Sequence, residues 1–217
     1  MIEERTFMSS LKGKFLFRVL LAKLFGNKPK LVDLANLYER ELTQKVFHYT
    51  FSQKARRSFR ADLVFEKANF CHLMSIASLV DHVTKDLDEY SGIKGWRNIQ
   101  EGKITMRLLK AINPNDFAYY QKEYEMFAQL VEMLHHPQAV LFDPKKVKNT
   151  KLKSKIILYG VYGQHTIHLG IDQDRDGDWF ARSYFVREND KNDQYPSKYV
   201  ANMTPLAVKV KVSSKKA

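Results

Sequence analysis

A predicted strand in the C-terminal third of the chain carries the residue type best suited to acid–base chemistry. From His165 to Ile171, side chains alternate across an extended backbone, so Thr166, His168 and Gly170 share one face. Histidine is the side chain whose ordinary pKa lies closest to neutral pH, so it can take up or release a proton. A sheet face with histidine and little apolar bulk can receive a phosphodiester. An ordinary solvated sheet face fits the same pattern equally well.

Cationic side chains supply candidates for binding that phosphodiester. Arg182 lies in the predicted strand Trp179–Arg187, and its planar guanidinium matches a phosphate, so it is a candidate for stabilising an oxyanion. Lys155 can add further positive charge. The last predicted strand directs its valines inward and its lysines outward, and the tip of a predicted N-terminal hairpin is strongly basic. The candidate nucleic-acid-binding residues are therefore Lys54, Arg56, Arg57, Lys155, Lys209 and Lys211.

The sequence lacks the motifs of several other kinds of site. The acidic segment Asp172–Asp178 resembles the start of a calcium-binding loop, but Ser183 stands where such a loop requires a bidentate glutamate. An acidic hairpin turn is the better interpretation. The chain has no phosphate-binding glycine loop, no zinc-protease or serine-hydrolase motif, and no Cys/His spacing for zinc. We therefore expect no metal and no cofactor.

The composition favours an anionic partner. The chain has 217 residues, with 36 Lys+Arg against 24 Asp+Glu and a formal net charge of +12. Such a surplus attracts nucleic acid or an acidic protein. The single cysteine, Cys71, cannot form an internal disulfide, which fits a reducing compartment, so we expect a cytoplasmic location. The basic, amphipathic residues 10–25 predict a helix that packs on the domain or a partner; membrane binding is the less favoured alternative.

The periodicity of apolar residues predicts the elements that position these side chains. Helical spacing occurs over residues 31–42, 66–86, 105–112 and 116–135. Alternating patterns predict a hairpin of strands at 46–51 and 59–65, then strands at 140–142, 155–162, 165–171, 179–187 and 207–212. The order predicts an α+β fold, in which an N-terminal hairpin and helices pack on a mainly antiparallel C-terminal sheet of about four strands.

Short motifs distributed along the chain resemble a known nuclease family. The segments are LVDLANLYEREL, KVFHYTF, FRADLVF, EKANFCHLMSI, AVLFDPKKVKNTKLKSKIILYGVYGQHTIHLGI and WFARSYFVREND. They resemble the phage-associated Barnase–EndoU–Colicin–RelE-like (PBECR) nucleases, fourth group. The resemblance implies a domain over residues 30–200, flanked by a basic segment (1–29) and by a strand with a basic tail (201–217). It also implies metal-independent cleavage of RNA by a protein of a mobile element.

The resemblance assigns catalytic roles to three residues. The helix histidine of the family corresponds to His72, its strand histidine to His168, and its polar position before two aromatic residues to Ser183. Apart from the resemblance, His72 is an ordinary helix histidine that no spacing rule distinguishes. The family has a less charged residue where Arg182 stands, so the role of Arg182 depends only on its chemistry.

The favoured hypothesis is a metal-independent endoribonuclease of a phage or mobile element, with a toxin as one setting. Two histidines can serve as base and acid, and a cation can stabilise the phosphorane, so RNA cleavage needs no metal. The alternative is an inactive nuclease-like protein that binds nucleic acid or inhibits a host defence system through an acidic partner. The two hypotheses differ in what they require of His72 and His168. Catalysis requires that the two histidines share one pocket, whereas binding does not.

Overall fold

The computed structural model describes residues 29–53, 58–189 and 196–215. Within these ranges the α-helices are α1 (Leu31–Tyr38), α2 (Phe70–Leu73), α3 (Ile76–Val80), α4 (Gly92–Gln100), α5 (Met106–Ile112), α6 (Pro114–Glu125) and α7 (Phe127–His135). The strands are β1 (Lys45–Ser52), β2 (Phe59–Val64), β3 (Gln138–Leu141), β4 (Ile156–Tyr162), β5 (His165–Gln173), β6 (Trp179–Glu188) and β7 (Thr204–Ser214). A π-helical turn, Glu39–Thr43, extends α1 towards β1.

The described strands form one closed barrel in the order β1-β2-β6-β5-β4-β3-β7. The prediction of a sheet of about four strands is therefore wrong. The antiparallel run β3-β4-β5-β6 corresponds to that sheet, but β7 pairs with both β3 and β1 and so joins it to the N-terminal hairpin. The α+β class and the mainly antiparallel pairing are confirmed. The exception is the seam between β2 and β6, which are parallel and paired at a single position, Leu63 with Trp179.

The main core lies between the helices and the inner face of the barrel. In β1 the alternation places Phe47, Tyr49 and Phe51 inward, and all three are fully buried. Helix α7 is apolar around most of its circumference because it packs on β4, β5 and β7 and on α1. The hydroxyl of Tyr49 donates a hydrogen bond to the carbonyl of Leu134 at 2.8 Å, which ties α7 to the barrel.

Two predicted helices are interrupted in the structure. The segment predicted as one helix over 66–86 contains the short helices α2 and α3, separated by Ser75 with a φ of +54°. The segment predicted over 116–135 is divided at Met126 into α6 and α7. The division separates the partly exposed α6 from the buried α7. Both halves are apolar at helical spacing, so the pattern alone does not locate the break.

A second, smaller core covers part of the outer face of the barrel. Its buried members come from β3, β4, the β3–β4 connection and the segment before β7: Val140, Phe142, Val147, Ile157, Val200 and Met203. Strand β5 is consequently buried on both faces along most of its length. This outer layer determines which side chains of β5 and β6 can meet a ligand.

Candidate nucleic-acid cleft

A cleft of about 410 Å³ lies where α6, the β3–β4 connection and the outer side of β6 meet. Its lining is rich in hydroxyl and charged groups. The polar and charged lining residues are Ser75, Ser78, Tyr119, Tyr120, Glu123, Asn149, Thr150, Lys151, Ser183, Tyr184, Arg187 and Tyr199. A second cavity of about 280 Å³ also borders Arg187 and Tyr199.

Arg187 is held in a fixed orientation at the cleft. Its guanidinium lies 5.2 Å from the ring centres of both Tyr119 and Phe185. Nη2 donates a hydrogen bond to the hydroxyl of Tyr119 at 2.7 Å, and Nη1 donates to the carbonyl of Val186 at 2.6 Å. Aromatic faces and a planar guanidinium attract one another, and this packing reduces the entropy lost when the arginine binds an anion. Arg187 is therefore well placed to bind a phosphate.

Glu123 is the acidic group beside Arg187. It is 2% exposed, and its Oε1 lies 3.7 Å from Nη1 of Arg187. Its other oxygen, Oε2, has no hydrogen-bond partner among the described residues. Burial raises the pKa of Glu123 to about 8, although the charge of Arg187 and the amide of Val186 act in the opposite direction. At neutral pH the carboxyl group is mostly protonated and can donate that proton.

Two residues with unusual backbone geometry also line the cleft. Ser75 and Asn149 have φ values of +54° and +57°. This left-handed conformation is uncommon for residues other than glycine, and such residues cluster at functional sites. Asn202 is the third such residue in the described part of the chain, and it does not line this cleft. The local strain therefore supports the cleft as a functional site.

A β-bulge brings three of the predicted site residues close together. Gly170 is opposite Ser183 and Ile171 is opposite Ala181, so Arg182 is the extra residue of β6. The carbonyl of Arg182 accepts a hydrogen bond from Nε2 of the exposed His72 at 2.9 Å. Ser183 lines the cleft.

The guanidinium of Arg182 does not line the cleft, because its Nη1 pairs with Oδ2 of Asp172 at 2.8 Å. It also lies 6.0 Å from the ring centre of Phe180. The side chain is therefore neutralised on the surface of the barrel rather than directed at the cleft.

His168 is fully buried, so the prediction that its face of β5 is open is wrong. Its ring stacks on Phe185 with a centroid distance of 4.5 Å, and Tyr199 packs against its edge. Nε2 is 2.7 Å from the hydroxyl of Ser197, whereas Nδ1 has no partner among the described residues. Burial lowers the pKa of His168 to about 3, so the ring is neutral at pH 7. The exposed His72 and the buried His168 do not share an open pocket.

The predicted nucleic-acid-binding residues are distributed over several surfaces. The basic hairpin tip with Lys54, Arg56 and Arg57 lies outside the described residues. The ammonium of Lys155 lies 6.0 Å from the ring centre of Trp179 and 3.3 Å from Oε1 of Gln173. The exposed Lys209 and Lys211 lie on β7, opposite Thr50 and His48 of β1.

Sequence reasoning missed Glu123 and Arg187. Glu123 lies three residues after Tyr120 on the apolar stripe of α6, and a carboxyl group on a buried face was a detectable signal. Arg187 shares its side of β6 with Phe185. Aromatic residues on both faces of β6 obscured which side faces outward.

Two kinds of feature are absent from the described residues. No group of three or more His, Cys, Asp and Glu side chains in these ranges is close enough to hold a metal ion. No described helix combines the length and apolar character needed to cross a membrane.

The fold and the cleft together describe an α+β barrel with an arginine and a buried acid at a polar cleft. The family model of phage-Barnase-EndoU-ColicinE5/D-RelE like nuclease 4 (PBECR4) matches residues 30–212. The chain therefore belongs to this nuclease family, as its sequence motifs indicate, and the match includes most of β7. No curated protein and no solved structure matched the chain.

Proposed function

We propose that the chain is a metal-independent endoribonuclease that cleaves RNA in the cleft between α6 and β6. The observation that carries the proposal is the pairing of Glu123 with Arg187, which places a protonated carboxyl group beside a fixed cation. Phosphodiester cleavage needs both a proton donor and a stabiliser of negative charge. Membership of a nuclease family supports a nucleic acid as the substrate.

The proposed reaction uses the nucleophile that RNA itself carries. The 2′-oxygen attacks the adjacent phosphorus, and the bond from phosphorus to the 5′-oxygen breaks, which leaves a 2′,3′-cyclic phosphate and a 5′-hydroxyl. Glu123 donates its proton to the departing 5′-oxygen. Arg187 binds the non-bridging oxygens, with the hydroxyls of Tyr119 and Ser183 as further donors. DNA lacks the 2′-hydroxyl and is not a substrate for this chemistry.

His72 is the proposed base for the 2′-hydroxyl. Its Nε2 donates to the carbonyl of Arg182, and this bond favours the tautomer in which Nδ1 carries a free lone pair. Among the described residues, no partner contacts Nδ1. Ser183, the next residue after Arg182, lines the cleft. The proposal pairs His72 with Glu123 instead of with His168. His72 is not itself among the cleft-lining residues, and it adjoins the cleft through the backbone of Arg182, next to Ser183.

The burial of His168 gives it a positioning role in this proposal. Its neutral ring supports Phe185, and Phe185 in turn packs against the guanidinium of Arg187. The proposed setting is the cytoplasm of a cell that hosts a phage or mobile element. The family description names phage, and the single cysteine fits a reducing compartment.

The test is cleavage of a fluorescent single-stranded RNA in the presence of EDTA. The wild type should release a 2′,3′-cyclic phosphate, identified by mass spectrometry, and should not cleave the same sequence in DNA. Glu123→Gln and Arg187→Gln should each lower kcat by about a hundredfold, a usual effect of losing an acid or an oxyanion stabiliser. Because Glu123 acts in its protonated form, kcat should fall as the pH rises through about 8.

Glu125→Gln is the matched control, because Glu125 is an exposed glutamate two positions away that pairs with Lys122. This variant should cleave as the wild type does. Equal activity of Glu123→Gln and Glu125→Gln would refute the role of Glu123. RNA that binds but stays intact would instead favour the inactive binding protein, a reading that the burial of His168 also supports.

A further inference from the structure

The connection between β3 and β4 is the most basic short segment of the described chain. Between Asp143 and Ile156 it contains six lysines and no other acidic residue. Residues 144–155 of this connection are called the lysine loop. Its six lysines are Lys145, Lys146, Lys148, Lys151, Lys153 and Lys155. All six are exposed. Exposed charge of this kind is often only a solvated surface, so the position and contacts of the loop decide its meaning.

The backbone of the lysine loop is anchored although its charges are not. Val147 is 4% exposed and packs in the outer core, and Ser154 is 4% exposed. The hydroxyl of Thr150 accepts a hydrogen bond from the amide of Leu152 at 3.1 Å. Asn149 adopts a left-handed conformation. The ammonium groups therefore extend from a defined scaffold.

Among the described residues, the ammonium groups of four of the six lysines have no hydrogen-bond or ion-pair partner. Lys146 donates a hydrogen bond to the carbonyl of Asn202, and Lys155 contacts Gln173. Among the described residues, no carboxylate forms an ion pair with any lysine of the loop. Like charges held on one short segment repel, and a polyanion relieves that repulsion. The unpaired lysines are Lys145, Lys148, Lys151 and Lys153.

The lysine loop also forms one wall of the cleft. Residues 149–152 line the cleft together with Glu123 and Arg187. A polynucleotide whose scissile phosphate lies at Arg187 must leave the cleft past its walls. Its neighbouring phosphates would then pass beside the lysine loop.

We propose that the lysine loop binds the RNA backbone on the nucleotides that flank the scissile phosphate. This inference deepens the proposed function, because it assigns the surface that holds the substrate rather than the groups that cleave it. Lysine neutralises phosphates as a point charge without reading bases, so the loop should contribute affinity and not sequence preference. Each phosphate neutralised on a single strand contributes about −0.7 to the slope of log K against log salt concentration.

The test measures binding of a non-cleavable 2′-O-methyl RNA by fluorescence anisotropy at several salt concentrations. Lys148→Gln/Lys151→Gln should reduce the salt slope by about 1.4 and weaken binding about tenfold or more at low salt. The control is Lys85→Gln/Arg97→Gln, which removes the same charge from exposed positions that line neither cavity. The control should change the affinity less than threefold.

Several results would overturn the proposal. Equal losses in both variants would show that only the overall charge matters. A larger loss in the Lys85→Gln/Arg97→Gln variant would assign the RNA to that surface instead. No binding of RNA by the wild type would also refute it. Because the RNA cannot be cleaved, a protein that binds through the lysine loop but never cuts natural RNA would sustain this inference and refute the proposed function.

Discussion

Glu123 and His168 are two buried titratable side chains whose pKa values burial shifts in opposite directions. Burial raises the pKa of Glu123 to about 8 and lowers that of His168 to about 3. In each case the neutral form is favoured, because transfer of a charge from water into the protein interior is costly. At neutral pH the cleft thus contains two cations, Arg187 and Lys151, and a carboxyl group that is mostly uncharged. This combination favours binding of an anion.

The low pKa of His168 makes the folded state sensitive to acid. An unfolded chain titrates this histidine near pH 6.5, but the folded protein does so near pH 3. Between these values the unfolded state binds one more proton, so stability falls as the pH falls. His168→Gln should remove up to about 1.4 kcal/mol per pH unit from this dependence. Urea unfolding of the wild type and the variant between pH 7 and pH 4 gives the free energy of unfolding at each pH. If the two free energies change in parallel with pH, the lowered pKa of His168 is contradicted.

At the scale of elements, β6 and the loop packed on its partner β5 form the cleft walls together with α6. The sequence predicted these strands to within a few residues, because alternating apolar residues are a local signal. It could not predict that His168 is covered, because Phe185 and Tyr199 come from other segments. The breaks at Ser75 and Met126 were also missed, because tertiary packing rather than apolar periodicity determines them.

Gly170 sets how closely the lysine loop can approach β5. A Cβ atom added there would lie 2.1 Å from the hydroxyl oxygen and 2.9 Å from Cβ of the buried Ser154. Gly170→Ala should therefore destabilise the fold by about 1–3 kcal/mol, the usual cost of overpacking. The change in urea unfolding midpoint measures it.

A double-mutant cycle separates this contact from a general effect of alanine. Ser154→Gly removes both atoms that the new Cβ meets, so the Gly170→Ala/Ser154→Gly protein should recover part of the lost stability. If the effects of the two substitutions on the free energy of unfolding are strictly additive, contact with Ser154 is not what excludes a side chain at position 170.

At the scale of the whole molecule, β7 completes the barrel. It pairs with β1 along Lys45–Ser52 and with β3 at Leu141 and its neighbours. The sequence predicted β7 as a strand but not its partners. Pairing between segments as far apart in the chain as Lys45 and Ser214 has no local signature, so the sequence could not predict the closed barrel.

Removal of β7 should therefore prevent a stable fold. A chain ending at Met203 would leave β1 and β3 as open edges, which promote aggregation. A synthetic peptide of residues 204–217 should restore cooperative thermal unfolding when added, because it can pair with both edges. A peptide with Val208→Asp and Val210→Asp is the control, since both valines pack against the main core. Cooperative unfolding of the truncated chain without any peptide would contradict the requirement for β7.

The seam between β2 and β6 leaves one border of the site strand without a strand neighbour. Strand β6 carries Ser183 and Arg187, yet on the β2 side it pairs at one position only, Leu63 with Trp179. Beyond that position, helices α2 and α6 pack against β6 in place of a strand. These two helices carry His72 and Glu123, so helix-borne groups reach the sheet residues of the site through the gap in the ladder.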